Sequence, residues 1–253
     1  MKLGAERYSS KVEDYAKYRP DFPSEIINFL YANGTVGNSS VIADIGSGTG
    51  RFTRLLLEKG SLIYGIERNK EMRVKAEEML SKFTNFISIS GSAEETGLKS
   101  KSIDLITVAQ AFHWFNREKC LIEFKRIIKD SGKVFIVWDD FIGNYNDFSI
   151  EQGKVISEYR AIKPENNGKR FTRAEMIDGF FKDNKFKTMF FTHELYEEFD
   201  EFKGGVLSAS FTPKPGEEDY EHFITKLQEV FDSYQQNGRV CMAFRCECYL
   251  GEL

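Results

Sequence analysis

Between about residues 40 and 138, short apolar runs alternate with amphipathic stretches, the pattern of strand–helix–strand units laid on a parallel sheet. The first run, Val41-Ile42-Ala43-Asp44-Ile45, leads into glycines. Phe52, Leu55 and Leu56 recur at helical spacing, which predicts a helix from about 50 to 59 closed by Gly60. Leu62 to Glu67 predicts a second strand that ends in an acid, and Asn69 is placed to cap a helix running to about Ser81. Phe86–Ile89, Ile103–Ala109 and Lys133–Trp138 predict three more strands. Before the last of these, Asn116 caps a helix through Lys129, which Gly132 breaks.

Beyond residue 140 the pattern loosens. Helices are expected near 149–162 and 172–182, joined by a loop with Pro164, Asn166, Asn167 and Gly168. Phe186 to Phe199 reads as a strand rich in aromatics, and Val240 to Leu250 alternates as a last strand. Between them lie helical stretches near 200–209 and 217–236, separated by Pro213 and Pro215. The two late strands are most simply placed as an added edge on the parallel sheet. Ser24 is expected to cap a helix to about Ala32. The class is therefore α/β: seven strands, mostly parallel, doubly wound, with helical additions.

With 253 residues, 41% hydrophobic and 29% charged, the chain is well able to build a core, either as one large domain or as a domain with an insertion. A net charge of -4, with Lys and Arg mixed among Asp and Glu, leaves no dense basic stripe, so no nucleic-acid partner is expected. No apolar run approaches the roughly 20 residues that span a bilayer, so no membrane partner is expected either. The N-terminal stretch carries acids and tyrosines where a secretory signal needs apolar residues. Four cysteines, at 120, 241, 246 and 248, lack Cys-x-x-Cys spacing and a nearby histidine. The expectation is reduced thiols in a cytoplasmic protein and no metal site. Cys246 and Cys248, two apart on a strand, share a face.

The chemistry concentrates at Asp44-Ile45-Gly46-Ser47-Gly48-Thr49-Gly50, between an apolar strand and a helix. Glycines there let main-chain N–H groups face a ligand that a Cβ would hold off. Spacing selects the ligand. The dinucleotide fingerprint G-x-G-x-x-G needs a glycine where Arg51 stands, and no G-x-x-x-x-G-K-[ST] run occurs. A pyrophosphate is thus disfavoured, and a less bulky, uncharged ligand passing over the turn fits better. Asp44 can hold an ammonium directly or through water. Glu67, at the end of the second strand, is placed to accept both hydroxyls of a ribose, since ligands of open parallel sheets bind beyond the strands' carboxyl ends.

With that acid-glycine run and Glu67, the chain resembles the class I S-adenosylmethionine-dependent methyltransferases, of Rossmann-like fold. The likeness is closest to the small-molecule, methyltransferase type 11 branch that includes trans-aconitate methyltransferase-like enzymes. Tyr15 to Pro23 resembles that branch's lead-in Y-x-x-Y-R-P-x-Y-P, with Phe22 for the last tyrosine. Gly65 to Met72 resembles its ribose segment, with Arg68 in place of the usual proline. Gly91 to Glu94, Ala109 to Phe115, Leu207 to Pro213 and Tyr249 to Gly251 match further segments in order. The resemblance implies S-adenosylmethionine as cofactor, with Gly46, Ser47, Gly48 and Gly50 in the turn around its methionine part and Glu67 on its ribose. It also implies Met72 or Arg68 on one adenine face and Ser92, Ala93 and Glu94 around the adenine amino edge. The backbone at Gln110 meets the methionine ammonium, and Tyr18 and Arg19 cover the site. Three regions follow: residues 1–35 as lid segment and helix, 36–140 as cofactor-binding core, and 141–253 as the rest of the sheet with helices covering a small-molecule methyl acceptor. Oligomeric state is left open.

Methyl transfer from a sulfonium is an in-line displacement that depends on alignment, worth roughly 7–11 kcal/mol. A carboxylate acceptor, which the resemblance favours, needs cations rather than a base, and Arg19, Arg51 and Arg173 are candidate grips. A hydroxyl or amine acceptor needs a proton removed, for which His113 is the best-placed base. A histidine within Phe112-His113-Trp114-Phe115 can equally be a packed, hydrogen-bonded wall residue. Base methylation of nucleic acid is disfavoured because Gln110-Ala111-Phe112-His113 stands where an Asn/Asp-Pro-Pro-Tyr-like run is expected. A cofactor-binding module without catalysis and a nicotinamide oxidoreductase are the other rivals.

Overall fold

The computed structural model describes residues 12–162, 172–209 and 212–253. The expected loop at Pro164 to Gly168, with Ser210 and Phe211 of the C-terminal match, lies outside the described residues, as does the side chain of Tyr15.

The chain runs α1 (Val12–Tyr18), α2 (Ser24–Ala32), β1 (Val41–Ile45), α3 (Arg51–Leu57), β2 (Leu62–Ile66), α4 (Lys70–Met79), β3 (Phe86–Ile89), β4 (Ile103–Ala109), α5 (Arg117–Ile127) and β5 (Ile128–Phe141). It continues through α6 (Asp147–Ile162), α7 (Arg173–Ile177), β6 (Phe186–Glu197), α8 (Phe199–Leu207), α9 (Tyr220–Tyr234) and β7 (Val240–Gly251). All seven strands form one sheet in the order β3-β2-β1-β4-β5-β7-β6. β1 to β5 pair in parallel, and β7 lies antiparallel between β5 and β6. The expected added edge is thus present, with the last strand inside it and β6 outermost.

The central strands are predominantly apolar because both sheet faces are covered, with Asp44 and Thr107 as buried polar exceptions. On one face α2 and α3 pack Ile26, Ile27, Leu30, Phe52 and Leu56 against Ile42, Ile63, Leu105 and Phe135. On the other, Cys120, Phe124 and Ile127 of α5 pack against Ala43, Ile106, Val134 and Ile136. A third cluster joins α6, α8 and α9 to the start of β7 through Phe148, Phe202, Phe223, Leu227 and Met242. β7 runs against β5, so its start stands beside the carboxyl end of β5, and this third cluster roofs that edge of the sheet.

Two predicted caps form as expected: the Asn69 side chain accepts from Met72 N–H and the Asn116 side chain from Lys119 N–H. Three expectations are corrected. Gly132 does not break a helix but lies within β5, where a Cβ would stand 2.5 Å from Ile128 and 3.1 Å from the Asp104 carbonyl. The helix expected over 172–182 stops at Ile177, because Gly179 turns left-handed (φ 66°) and drops Phe180 and Phe181 into the core. Ser24 is the first helical residue rather than the cap, which falls to Pro23.

Candidate active site

Parallel strands point their carboxyl ends the same way, and the order reverses between β1 and β4, which opens a crevice there. Three turns meet in it: Gly46–Gly50 after β1, Glu67–Asn69 after β2, and Gln110–Phe115 after β4. A cavity of about 670 Å³ fills the crevice and continues under the roof. Its wall includes Gly46, Ser47, Gly48, Glu67, Arg68, Met72, Ser92, Ala93, Glu94, Gln110 and His113, so most of the expected site residues are brought together.

Glu67 connects the first two turns. One carboxylate oxygen accepts from Gly48 N–H at 3.0 Å and the other from Asn69 N–H at 2.7 Å. Burial nevertheless holds its carboxyl above the usual range, and the backbone hydrogen bonds work against that shift. Gly48, left-handed at φ 58°, has only the Met72 sulfur within 4 Å of where a Cβ would sit. Met72 and Ala93 are buried apolar surfaces on this side, and Arg68 is exposed beside them. An acid with two lone-pair-rich oxygens, an open glycine turn and flat apolar walls fit an adenosyl group with its ribose at Glu67.

Three expected residues, Asp44, Gly50 and Tyr18, stand outside the cavity wall. Asp44 is fully buried, accepting from the Thr53 hydroxyl at 2.5 Å and the Thr107 hydroxyl at 2.8 Å, and is not part of the cavity wall. Burial pushes its pKa up to about 6, and the nearby charge of Glu67 adds to this, while the two hydroxyls pull it down. It braces the turn from below. Gly50 is also absent from the wall: its Cβ would come within 2.6 Å of Leu80 and 3.3 Å of Ala76, so it serves the approach of α3 to α4. Tyr18 lies across Gly204 of α8, where a Cβ would come within 2.6 Å of its ring; Arg19 and Pro20 enter the wall instead. Glu94 reaches the wall with one oxygen accepting from Asn116 N–H at 2.8 Å, which ties the adenine-side segment to the start of α5.

Gln110 adopts φ 55°, uncommon for a side chain that size, and its amide donates to the Asp139 carbonyl. This pins the β4 turn to the end of β5. His113 sits in a single 3-10 turn, Phe112–Trp114, and its Nδ1 lies 3.3 Å from the Trp138 indole nitrogen. An indole N–H only donates, so Nδ1 accepts and the neutral imidazole carries its proton on Nε2. In that tautomer neither ring nitrogen is an open base, which favours the packed-wall role over proton abstraction.

Of the three nominated arginines, Arg19 and Arg51 line the cavity and Arg173 does not. Arg51 reaches Asp21 at 3.0 Å, and Arg173 pairs with Glu247 at 2.7 Å and with Asp140 while lying over the Trp138 ring. Arg173 thus has both terminal nitrogens paired with acids, whereas Arg51 has one on Asp21 and lines the cavity.

Sequence reasoning does not single out Asp139, Phe141, Gln152, Glu197 or Phe244, all in the wall. They come from four elements far apart in the chain, and no spacing signals them. Asp139, His193 and Cys246 also converge: β5, β7 and β6 place the Asp139 carboxylate 3.1 Å from both the imidazole and the thiol. Burial holds the Cys246 thiol up, so it donates to Asp139 as a thiol.

Comparison with known proteins agrees with this geometry. Residues 43–136 match a family model described as a methyltransferase domain. The chain is 28% identical over 227 residues to an uncharacterized methyltransferase-like protein of Schizosaccharomyces pombe, covering 88% of this chain and 85% of that protein. It is 29% identical over 132 residues to an uncharacterized methyltransferase of Mycobacterium tuberculosis, 52% of this chain and 51% of that protein. A solved structure assigned as a type II methyltransferase of Anaeromyxobacter dehalogenans shares the fold, with a TM-score of 0.67 at 18% identity, covering 93% of this chain and 98% of that one. With a methyltransferase-domain match over residues 43–136 and a methyltransferase-like relative aligned over 88% of the chain, the chain is similar to the S-adenosylmethionine-dependent methyltransferases, and it shares their Rossmann-like fold.

Proposed function

We propose that this enzyme methylates a small molecule held between the cofactor crevice and the roof built by residues 141–253. The observation that carries this is the continuity of one cavity from Glu67 and Gly48 to Gln152, Ile156 and Met242 under that roof. A compartment walled on the roof side by Phe141, Ile156, Met242 and Phe244 suits a compact, partly apolar acceptor rather than a nucleic-acid strand.

S-adenosylmethionine supplies a methyl group already activated on a sulfonium. The chain's own part is alignment and exclusion of water. Glu67 takes the ribose hydroxyls, and Gly46, Ser47 and Gly48 leave room for the chain that follows. Met72 and Arg68 flank one adenine face, with Ser92, Ala93 and Glu94 at its edge. The strained Gln110 turn presents main-chain acceptors to the methionine ammonium, and Arg19 closes the N-terminal side. His113 shapes the wall through Trp138. Asp44 and Gly50 act one step removed, by holding the turn and the helix behind it. The four unbridged cysteines fit a reducing compartment, and we place the enzyme in the cytoplasm.

Titration calorimetry with S-adenosylhomocysteine and NADH, followed by a tritiated-methyl transfer screen over small acids, amines and phenols, tests the proposal. It requires micromolar or tighter S-adenosylhomocysteine binding, no NADH binding, and a labelled small-molecule product. Cofactor binding with no transfer to any small molecule favours a binding module, and NADH binding alone refutes the assignment of the turn.

A further inference from the structure

Among the described residues, two buried acceptor oxygens of the cavity-lining side chains, one on α6 and one at the end of β6, have no hydrogen-bond partner. Gln152 on α6 is 3% exposed, and its amide oxygen has no hydrogen-bond partner among the described residues. One carboxylate oxygen of Glu197 (Oε2), at the end of β6, is likewise buried and without one. Both side chains line the cavity. A buried acceptor left unpaired costs about 1–3 kcal/mol, so two on one wall call for a ligand that satisfies them.

The cavity's arginines, Arg19, Arg51 and Arg68, come from the N-terminal segment, α3 and the turn after β2, whereas β5 and β6 contribute acids. Asp139 and Asp140 stand with Glu197, and Asp140 is paired with Arg173. Phe141 and Phe244, rings 5.7 Å apart, and Ile156 supply apolar surface between them. Acids with aromatic faces attract a cation and repel a carboxylate. A hydroxyl offers one donor to two waiting oxygens, whereas a protonated amine offers three.

We propose that Gln152 and Glu197 recognise the methyl acceptor and that the acceptor is an amine on a compact apolar body. This rests on the donor site at Glu67 and Gly48 and names the acceptor class for it. The ammonium gives one proton to the Glu197 carboxylate. The freed nitrogen lone pair then forms the N–C bond while the methyl–sulfur bond breaks, its electron pair passing to sulfur. The products are the N-methylammonium and S-adenosylhomocysteine, and Glu197 returns its proton to solvent. Burial, with Glu201 close by, holds the Glu197 carboxyl up at about 7, where taking and releasing a proton are both easy.

Calorimetry on the S-adenosylhomocysteine-saturated enzyme with phenethylamine, phenylacetate and 2-phenylethanol, which share a skeleton, decides the matter. Phenethylamine should bind at least ten-fold tighter than the other two. Glu197→Gln and Gln152→Met should each weaken it five-fold or more, with S-adenosylhomocysteine affinity changing less than two-fold. Phenylacetate or the alcohol binding as tightly, no probe binding at all, or variants that bind the amine like wild type, each overturn the amine assignment while leaving the donor site standing. Failure of S-adenosylhomocysteine to bind the wild type instead removes the donor site on which the assignment rests.

Discussion

Gly50→Ala distinguishes a glycine that serves the ligand from one that serves the fold. Gly50 caps α3 at φ 82° and ψ 18°, a left-handed conformation that costs an alanine about 1–2 kcal/mol. The new Cβ would also stand 2.6 Å from a Leu80 methyl and 3.3 Å from Ala76, overpacking worth about 1–3 kcal/mol. Leu80 is 1% exposed and has little room to yield. The sum, about 2–5 kcal/mol, should lower the urea midpoint by roughly 1 M or more at unchanged slope. S-adenosylhomocysteine affinity of the folded variant should stay within three-fold of wild type, because Gly50 is not in the cavity wall. A variant as stable as wild type that has lost the ligand would refute the packing role and return Gly50 to the binding turn.

Asp44 gives a pH-dependent expectation. Its folded-state pKa of about 6 lies above the ordinary 3.8, so the folded state holds the proton more tightly and the carboxylate costs stability as pH rises between those values. Relative to Asp44→Asn, wild type should lose about 2 kcal/mol between pH 4 and 7 in urea titrations; a constant difference across that range contradicts the raised pKa. His113→Phe should leave S-adenosylhomocysteine binding within two-fold and cost about 1 kcal/mol of stability through the stranded Trp138 N–H, whereas a hundred-fold fall in turnover at full stability would restore the base role.

The parts of the fold set by local rules are visible in the sequence. Alternating apolar runs give the strands, and Asn69 and Asn116 cap the helices they precede. Glu67 is legible because it follows a strand at a fixed distance from the glycine turn, and the structure joins the two through Gly48. What local rules miss depends on distant partners. Asp44 looks like a ligand residue until Thr53 and Thr107 are seen to take both its oxygens. Gly132 and Gly50 read as a breaker and a ligand glycine, but Ile128 and Leu80 decide their roles. Arg173 looks available for an anion because its acids, Asp140 and Glu247, lie far away in the chain. Gln152 and Glu197 belong to no motif, and only the folded roof brings both to the cavity.

Glu67 carries the heaviest weight in this account, and Glu67→Ala measured by calorimetry with S-adenosylhomocysteine tests it most directly. The substitution removes the acceptor proposed for the ribose together with the bonds to Gly48 and Asn69 N–H. The dissociation constant should rise at least ten-fold, about 1.4 kcal/mol or more. An affinity equal to that of wild type, in a variant whose unfolding remains cooperative, would contradict the placement of the adenosyl group between Gly48 and Glu67.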